Sequence, residues 1–290
     1  MARIAILVDE PDWHTRRLAE SFARLGATAL VLSLRDCAFV LGEGGSGVAV
    51  PGFAAALPDA VLVRTIAAGS FEQVTLRLGL LHALGALGVP VVNDARAIER
   101  CVDKAMTSFL LHRAGIATPP TCASESAAQA ERWRAGTATE VVEKPLFGSQ
   151  GRGLVRVRQG DALPPVEAYA GVRYLQRFVG REAGWRDFRV MVVGGKPVAA
   201  MARHGRSWVT NVRRGARCEA VDVSERLAGP SIAAAAAVGA DYAGIDLIED
   251  AAGRLLVLEV NSMPAWQGLQ SVASCDLAGI LAEHVLARAA

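Results

Sequence analysis

Aromatic residues make up only 6% of this 290-residue chain. The five cysteines, Cys37, Cys101, Cys122, Cys218 and Cys275, are odd in number and include no CxxC pair. That argues against a disulfide framework or a zinc site and fits a reducing compartment. No apolar run is a good membrane span: the most apolar stretch, SIAAAAAVGADYAGIDLI, is broken by Asp241 and Asp246. The N-terminal MARIAILVDE has too short an apolar run for a secretory signal. Neither charge sign dominates, since the net charge is +2, so bulk binding to nucleic acid is not expected. No glycine-rich dinucleotide fingerprint follows the first strand, where the turn reads DEPDW. No Ser-His-Asp or Cys-His signature stands out. The expectation is a soluble cytoplasmic protein with no membrane and no nucleic-acid partner; homo-oligomerisation is left open.

What is present is material for a large core, with 52% hydrophobic and 21% charged residues. The first ninety residues alternate strand and helix patterns. RIAILVD, TALVLSL, PDAVLVR and VPVVN read as strands. Asp12 reads as the N-cap of a helix closing at Gly26, and FEQVTLRLGLLHALGALG as a second helix. This alternation predicts a parallel sheet. DARAIERCVDKAMTSFLLHRAGI then reads as one long helix ending at Gly115. Beyond it come TEVVEKP, GLVRVR, RYLQRFV, DFRVMVVGG and KPVAAMAR as strands, and a helix from roughly Glu225 to Ala240. That later order predicts an α+β arrangement.

VLEVNSMPAW, 257–266, places Glu259 and Asn261 in an aliphatic run. A two-residue turn centred between Ala252 and Gly253 would set Asp246 directly opposite Glu259, with Asn261 on the same face. Two carboxylates so close repel unless a proton or a cation intervenes. Oxygen-only donors favour magnesium or manganese. A loop of another length would turn Asp246 to the other face. The hairpin alone therefore leaves two readings open, a cation site or a strand fraying into solvent.

Magnesium on few carboxylates usually shares its shell with phosphate. EKPLFGSQGRGL offers Lys144 at a strand end, then Gly148, Ser149, Gly151 and Gly153, whose backbone amides could approach an anion. Its spacing is not that of a Walker A loop. RHGRSWVTNVRRGAR, 203–217, carries five arginines, a residue type suited to phosphate or carboxylate. A ligand-free hairpin tip and a solvated charged face are the bland alternatives. Asp187 and Arg189 alternate along one strand and so share a face, and Lys104 lies in a helical pattern near the domain junction.

These pieces, in order, resemble the ATP-grasp superfamily, and within it the RimK-like amino-acid ligases, which attach glutamate to a carboxylate. The carriers are DK at 103–104, EKP-x-x-GSQGRG at 143–153, LQRFV at 175–179, DFRVMVVGGK at 187–196, TNVRRGA at 210–216, GIDL at 244–247 and LEVNSMP at 258–264. The resemblance implies α/β plus α+β architecture. A Rossmann-like pre-ATP-grasp domain would span 1–93 and a two-part ATP-grasp domain 94–290, with a lid at about 118–180 and a metal and catalytic core at about 181–290. It implies that Lys104 and Lys144 contact ATP phosphates under the 148–153 loop. Gln176, Arg177 and Phe178 would lie on the adenine side, with backbone from the last two, and Asp187 on the ribose side. Arg203 and Asn211 would face phosphate, with Arg203, Lys144 and Arg189 as the catalytic set. Asp246, Glu259 and Asn261 would hold two Mg2+ or Mn2+ ions. Position 177 departs from the family's common glutamate, and PAWQG at 264–268 replaces the usual Pro-Gly turn. The WVTN…RGA and PAW-x-GLQ pieces are similar to the branch acting on pterin-type, tetrahydromethanopterin-like one-carbon carriers.

The implied partners are a small-molecule carboxylate acceptor and an amino acid, glutamate being the expected one. The implied chemistry is amide formation through an acyl phosphate. A dipeptide-type ligase using another amino acid, a non-catalytic ATP-binding module and a kinase remain as rivals.

Overall fold

The computed structural model describes residues 1–42, 45–148, 151–180 and 184–290, with Arg213 lacking a described side chain. The chain begins with β1 (Arg3–Leu7), α1 (Trp13–Arg24), β2 (Thr28–Leu32), the two-residue strands β3 (Ala38–Phe39) and β4 (Val48–Ala49), β5 (Ala60–Val63), α2 (Phe71–Ala86) and β6 (Val91–Val92). β1, β2, β5 and β6 form a parallel sheet in the order β2-β1-β5-β6, while β3 pairs with β4. β5 reads AVLV and is buried at every position, as a strand covered on both faces must be. Ile4 and Ile6 share a core with Leu18 and Phe22 of α1; Ala5 and Leu7 share another with Leu80 and Leu84 of α2. Asp12 caps α1 through a reciprocal bond with Thr15.

The expected long helix over 94–116 is two helices, α3 (Ala95–Val102) and α4 (Lys104–Arg113). Asp103 between them has extended backbone, and its side chain accepts from the amides of Ala105 and Met106. A carboxylate that caps the second helix competes with continuing the first. The break makes Lys104 the first residue of α4.

Next come β7 (Thr121–Ser124), α5 (Ala127–Ala135), β8 (Val141–Glu143), β9 (Val155–Val157) and β10 (Arg173–Arg177), an antiparallel sheet in the order β7-β10-β8-β9. The third sheet contains β11 (Trp185–Val193), β12 (Lys196–Gly205), β13 (Arg217–Val221), β14 (Tyr242–Glu249) and β15 (Leu255–Asn261), with α6 (Glu225–Val238) inserted before β14. Its order is β13-β12-β11-β14-β15, all antiparallel. Phe188, Val190, Val192 and Leu247 bury one face with Leu227, Ala234 and Val238 of α6. Asp187 and Arg189 alternate with these residues and lie on the other face.

After the short α7 (Gln267–Gln270), the last helix, α8 (Leu277–Ala289), returns to the first sheet. Its Leu277, Leu281 and Val285 share the core of Ile4, Ile6 and Phe22. The N-terminal sheet thus takes one of its covering helices from the far end of the chain. Among the described residues, no helix is long and apolar enough to cross a membrane.

Leu281 is fully buried in that shared core, whereas Leu41 is 82% exposed. Leu281→Ala should lower unfolding free energy by about 2–5 kcal/mol. Leu41→Ala should change it by no more than about 0.5 kcal/mol. Denaturant melts of both variants check this.

Candidate active site

Near the turn between β14 and β15 the pairing is Glu249↔Leu255, Ile248↔Leu256 and Leu247↔Val257. Asp250 donates its amide to the Arg254 carbonyl, and Gly253, with φ +78°, completes a three-residue turn rather than the expected two-residue one. Carried on unbroken, this register would put Asp246 against Leu258 and turn Glu259 into the apolar face with Val257. A bulge between Asp246 and Leu247 shifts it by one, and the observed pairs become Asp246↔Glu259, Ile245↔Val260 and Gly244↔Asn261. Val257 and Val260, three residues apart, can therefore lie in one core, and Glu259 and Asn261 lie on the face of Asp246.

Asp246 is buried, and its two oxygens accept from Nε and Nη2 of Arg189, each at 2.7 Å. The fork comes from the adjacent strand, where Arg189 pairs with Asp246. Arg203, on β12, donates Nε and Nη2 to the two oxygens of Asp187 at 2.7 Å, and its Nη2 lies 3.1 Å from Asp246 Oδ1. Thr210 adds a 2.6 Å bond to Asp187. Burial pushes the Asp246 pKa up, but Arg189 and Arg203 together hold it below 3.8. Asp187 moves the other way: burial raises it, and repulsion from Asp246 adds to that against the pull of Arg203. The structure thus turns both oxygens of Asp187, expected beside the ribose, toward Arg203 and Thr210.

The two lysines approach from other elements. Lys104 donates to the carbonyls of Gly148 at 2.9 Å and Leu146 at 3.3 Å. Lys144, at the end of β8, donates to Gln176 Oε1 at 2.6 Å. Gln176 is buried, with its amide nitrogen 3.2 Å from Thr121 Oγ1 and 3.3 Å from the Tyr174 hydroxyl. It therefore orients Lys144. Desolvation pushes the Lys144 pKa down to about 8, Glu259 and Asp246 pulling up and Lys104 pushing down. Desolvation also lowers Lys104, again against Glu259. The carboxylate of Glu259 thus acts on both ammonium groups.

The glycine-rich segment joins β8 to β9. Gly153 has φ +69°, and a Cβ there would lie 2.8 Å from Pro145, so close packing on Pro145 accounts for this glycine. Gly151 offers its carbonyl to Arg214 at 2.9 Å. Ser149 lies outside the described residues. The amides of Arg177 and Phe178 already donate to the carbonyls of Pro120 and Glu140, each at 2.8 Å; these two amides are not free for adenine. The Phe178 ring lies under the Arg156 guanidinium and edge-on to Trp185 and Trp208. Asn211 lies in the segment after β12, and its carbonyl accepts from the Arg214 amide at 2.9 Å.

Among the described residues, no group of three His, Cys, Asp or Glu side chains gathers as a metal centre. The donor set is instead two carboxylates and a carboxamide. Asn261 donates its amide nitrogen to the Gly244 carbonyl at 3.3 Å, and its Oδ1 accepts no hydrogen bond among the described residues. No side-chain hydrogen bond to Glu259 occurs among the described residues. A carboxylate has about four acceptor positions, and the contacts from Arg189 and Arg203 take three at Asp246. Spare oxygen donors on three neighbouring side chains fit a hard divalent cation.

Sequence reasoning missed Gln176 as the orienter of Lys144 and missed the bulge. Only Val257 and Val260, apolar and three apart, signalled the bulge.

A family model described as the RimK-like ATP-grasp domain matches residues 101–285, and one described as the RimK PreATP-grasp domain matches residues 2–98. The chain is 38% identical to a tetrahydromethanopterin:alpha-L-glutamate ligase of Methanococcus maripaludis, over 68% of this chain and 70% of that protein. It is 32% identical to the protein of the same name from Methanosarcina acetivorans, over 93% of this chain and 94% of the relative. Among solved structures, the ATP-grasp ligase PsnB in complex with a phosphomimetic minimal precursor, Mg and ADP superposes with a TM-score of 0.79. That likeness, at 22% identity over 99% of this chain and 98% of the other, concerns the fold.

With its pKa near 8, Lys144 loses its charge in the free protein as pH rises through that value. A phosphate partner favours the charged form, so nucleotide binding should be tightest below pH 8 and weaken above it. Lys144→Arg should flatten that dependence, because arginine stays charged. Calorimetric titration of MgADP between pH 6.5 and about 9.5 checks the sign.

Proposed function

The chain belongs to the RimK-like ATP-grasp family and is an ATP-dependent ligase; we propose that it joins the amine of L-glutamate to a carboxylate on a tetrahydromethanopterin-like one-carbon carrier. The observation that carries this reading is the convergence of Asp246, Glu259 and Asn261 with Lys104 and Lys144. The names of the archaeal relatives support the donor and the acceptor. Free cysteines throughout the described chain go with a cytoplasmic setting. In this reading residues 118–180 act as the lid and 181–290 as the catalytic core.

The acceptor carboxylate attacks the γ-phosphorus of ATP, forming an acyl phosphate and releasing ADP. The amine of glutamate then attacks the acyl carbon, phosphate leaves, and the amine loses a proton. Lys104 and Lys144 bind phosphate oxygens and offset charge in the first step. Lys104 must let go of the Leu146 and Gly148 carbonyls to do so. Arg203 spends Nε and Nη2 on the acids, which leaves Nη1 as the group that would meet the phosphoryl oxygens. Asp187 is a positioning residue that fixes the Arg203 plane. Asp246, Glu259 and Asn261 would hold two Mg2+ or Mn2+ ions, which would supply Lewis-acid neutralisation of phosphate charge. Arg177 and Phe178 meet adenine through their carbonyls.

Mass spectrometry and phosphate release with MgATP, tetrahydromethanopterin and each amino acid test the reading. Phosphate release should require both acceptor and glutamate, with one glutamyl group gained per phosphate. Release with another amino acid alone would show a different ligase, and phosphate retained on the acceptor would show a kinase. Glu259→Gln should abolish ADP formation while leaving the circular dichroism spectrum and melting temperature nearly unchanged.

A further inference from the structure

The loop that follows Asn261 is held from the other end of the molecule. His14, in the first turn of α1, has Nδ1 2.7 Å from Asp12 Oδ2. Its Nε2 accepts from the Trp266 amide at 3.1 Å and the Gln267 amide at 3.3 Å. Two backbone donors at Nε2 require a lone pair there, so the proton lies on Nδ1 and points to Asp12. The imidazole also meets the Trp266 ring edge-on at 4.6 Å. Arg64, at the end of β5, donates to the Pro264 carbonyl at 2.9 Å and lies over the Trp266 ring at 4.3 Å. The buried indole N–H of Trp266 has no acceptor among the described residues, so the loop is held by its backbone and its ring faces.

The same loop borders the charge network. The Ala265 carbonyl lies 3.4 Å from Arg189 Nη1, on the guanidinium that holds Asp246. Pro264 packs so closely on Gly244 that a Cβ there would come within 2.8 Å of it. A displaced 264–267 segment would therefore disturb the Nη1 edge of Arg189 while its Nε and Nη2 fork on Asp246 stays in place. The adenine end, at Phe178, follows β10 of another sheet.

We propose that His14 is a positioning residue for ligation: by accepting the Trp266 and Gln267 amides it fixes the loop beside Arg189, and so sets the affinity for the substrates that meet at the acyl carbon without altering nucleotide affinity. This rests on the ligase reading above. The charged groups facing the ring are Asp12 from its own helix cap and Arg64 from β5. Burial lowers the His14 pKa below 6.5, with Asp12 pulling up and Arg64 pushing down. A histidine with a depressed folded pKa keeps its contribution above 6.5 and loses it as pH falls below that value. Protonation would set an N–H against two backbone N–H groups.

Two variants test this by calorimetric titration of L-glutamate into the MgADP complex, and by hydrogen exchange of the 264–267 amides. His14→Phe keeps an aromatic ring but removes the acceptor. Its dissociation constant for L-glutamate should rise roughly tenfold, with a similar loss of protection at Trp266 and Gln267 and an unchanged affinity for MgADP. His14→Gln offers Oε1 in place of Nε2, so it should restore both readouts. It should also hold them constant between pH 7 and about 5, where the wild type weakens. Equal behaviour of the two variants, unchanged glutamate affinity in His14→Phe, or a parallel fall in MgADP affinity would overturn the proposal. A wild-type protein that binds no L-glutamate would refute the donor reading instead. Unchanged amide protection in His14→Phe would then still refute the His14 contact, and lost protection would support it.

Discussion

A carboxylate only 7% exposed stays ionised because a guanidinium from the next strand grips both its oxygens, and this pairing of Arg189 with Asp246 underlies the whole site. Removing one partner of such a buried pair typically costs about 3–5 kcal/mol, because the other charge is stranded. Around this pair the charges nearly balance. Asp187, Asp246 and Glu259 face Arg189, Arg203, Lys104 and Lys144. Asp246 is thereby kept charged, and desolvation holds both lysines below the ordinary lysine range.

Each sheet contributes a separate part. The antiparallel sheet of β7 to β10 carries Lys144 and the Gln176 that aims it. The broken helix pair delivers Lys104 at the start of α4. The five-stranded sheet lays the acids and arginines side by side, one cross-strand pair next to another. The N-terminal parallel sheet is more than a support. Asn93 donates to the carbonyls of Tyr242 and Ser262 and accepts the Tyr242 amide, which ties β14 and the end of β15 to that sheet. His14 and Arg64 extend the tie to the loop beyond, and α8 seals it with apolar contacts.

The parallel sheet was legible because its strands are short and aliphatic and two capped helices, α1 and α2, alternate with them. The shared face of Asp187 and Arg189 followed from the strand period alone. The opposition of Asp246 and Glu259 was reached through two errors that cancel, since the three-residue turn moves the register one way and the bulge moves it back. An apolar pattern records which face a residue takes, but it does not say where the parity changes. The Asp103 break escaped notice because the residues around it keep helical spacing, and a capping carboxylate looks like any polar surface residue. Gln176 was expected on the nucleotide rather than as the partner of Lys144, and His14 and Arg64 were silent, all for another reason. Each acts on a partner far away in sequence, Gln176 on Lys144 and the other two on residues some two hundred positions on. Nothing local marks such a side chain.

The central claim is that the bulged hairpin brings Asp246, Glu259 and Asn261 to a common divalent ion. Anomalous diffraction from crystals grown with Mn2+ and a non-hydrolysable ATP analogue tests it most directly. The account predicts a peak at about 2.0–2.4 Å from an oxygen of each of the three side chains and of the nucleotide phosphates. Manganese bound to phosphate with Glu259 and Asn261 turned away from it would contradict the account.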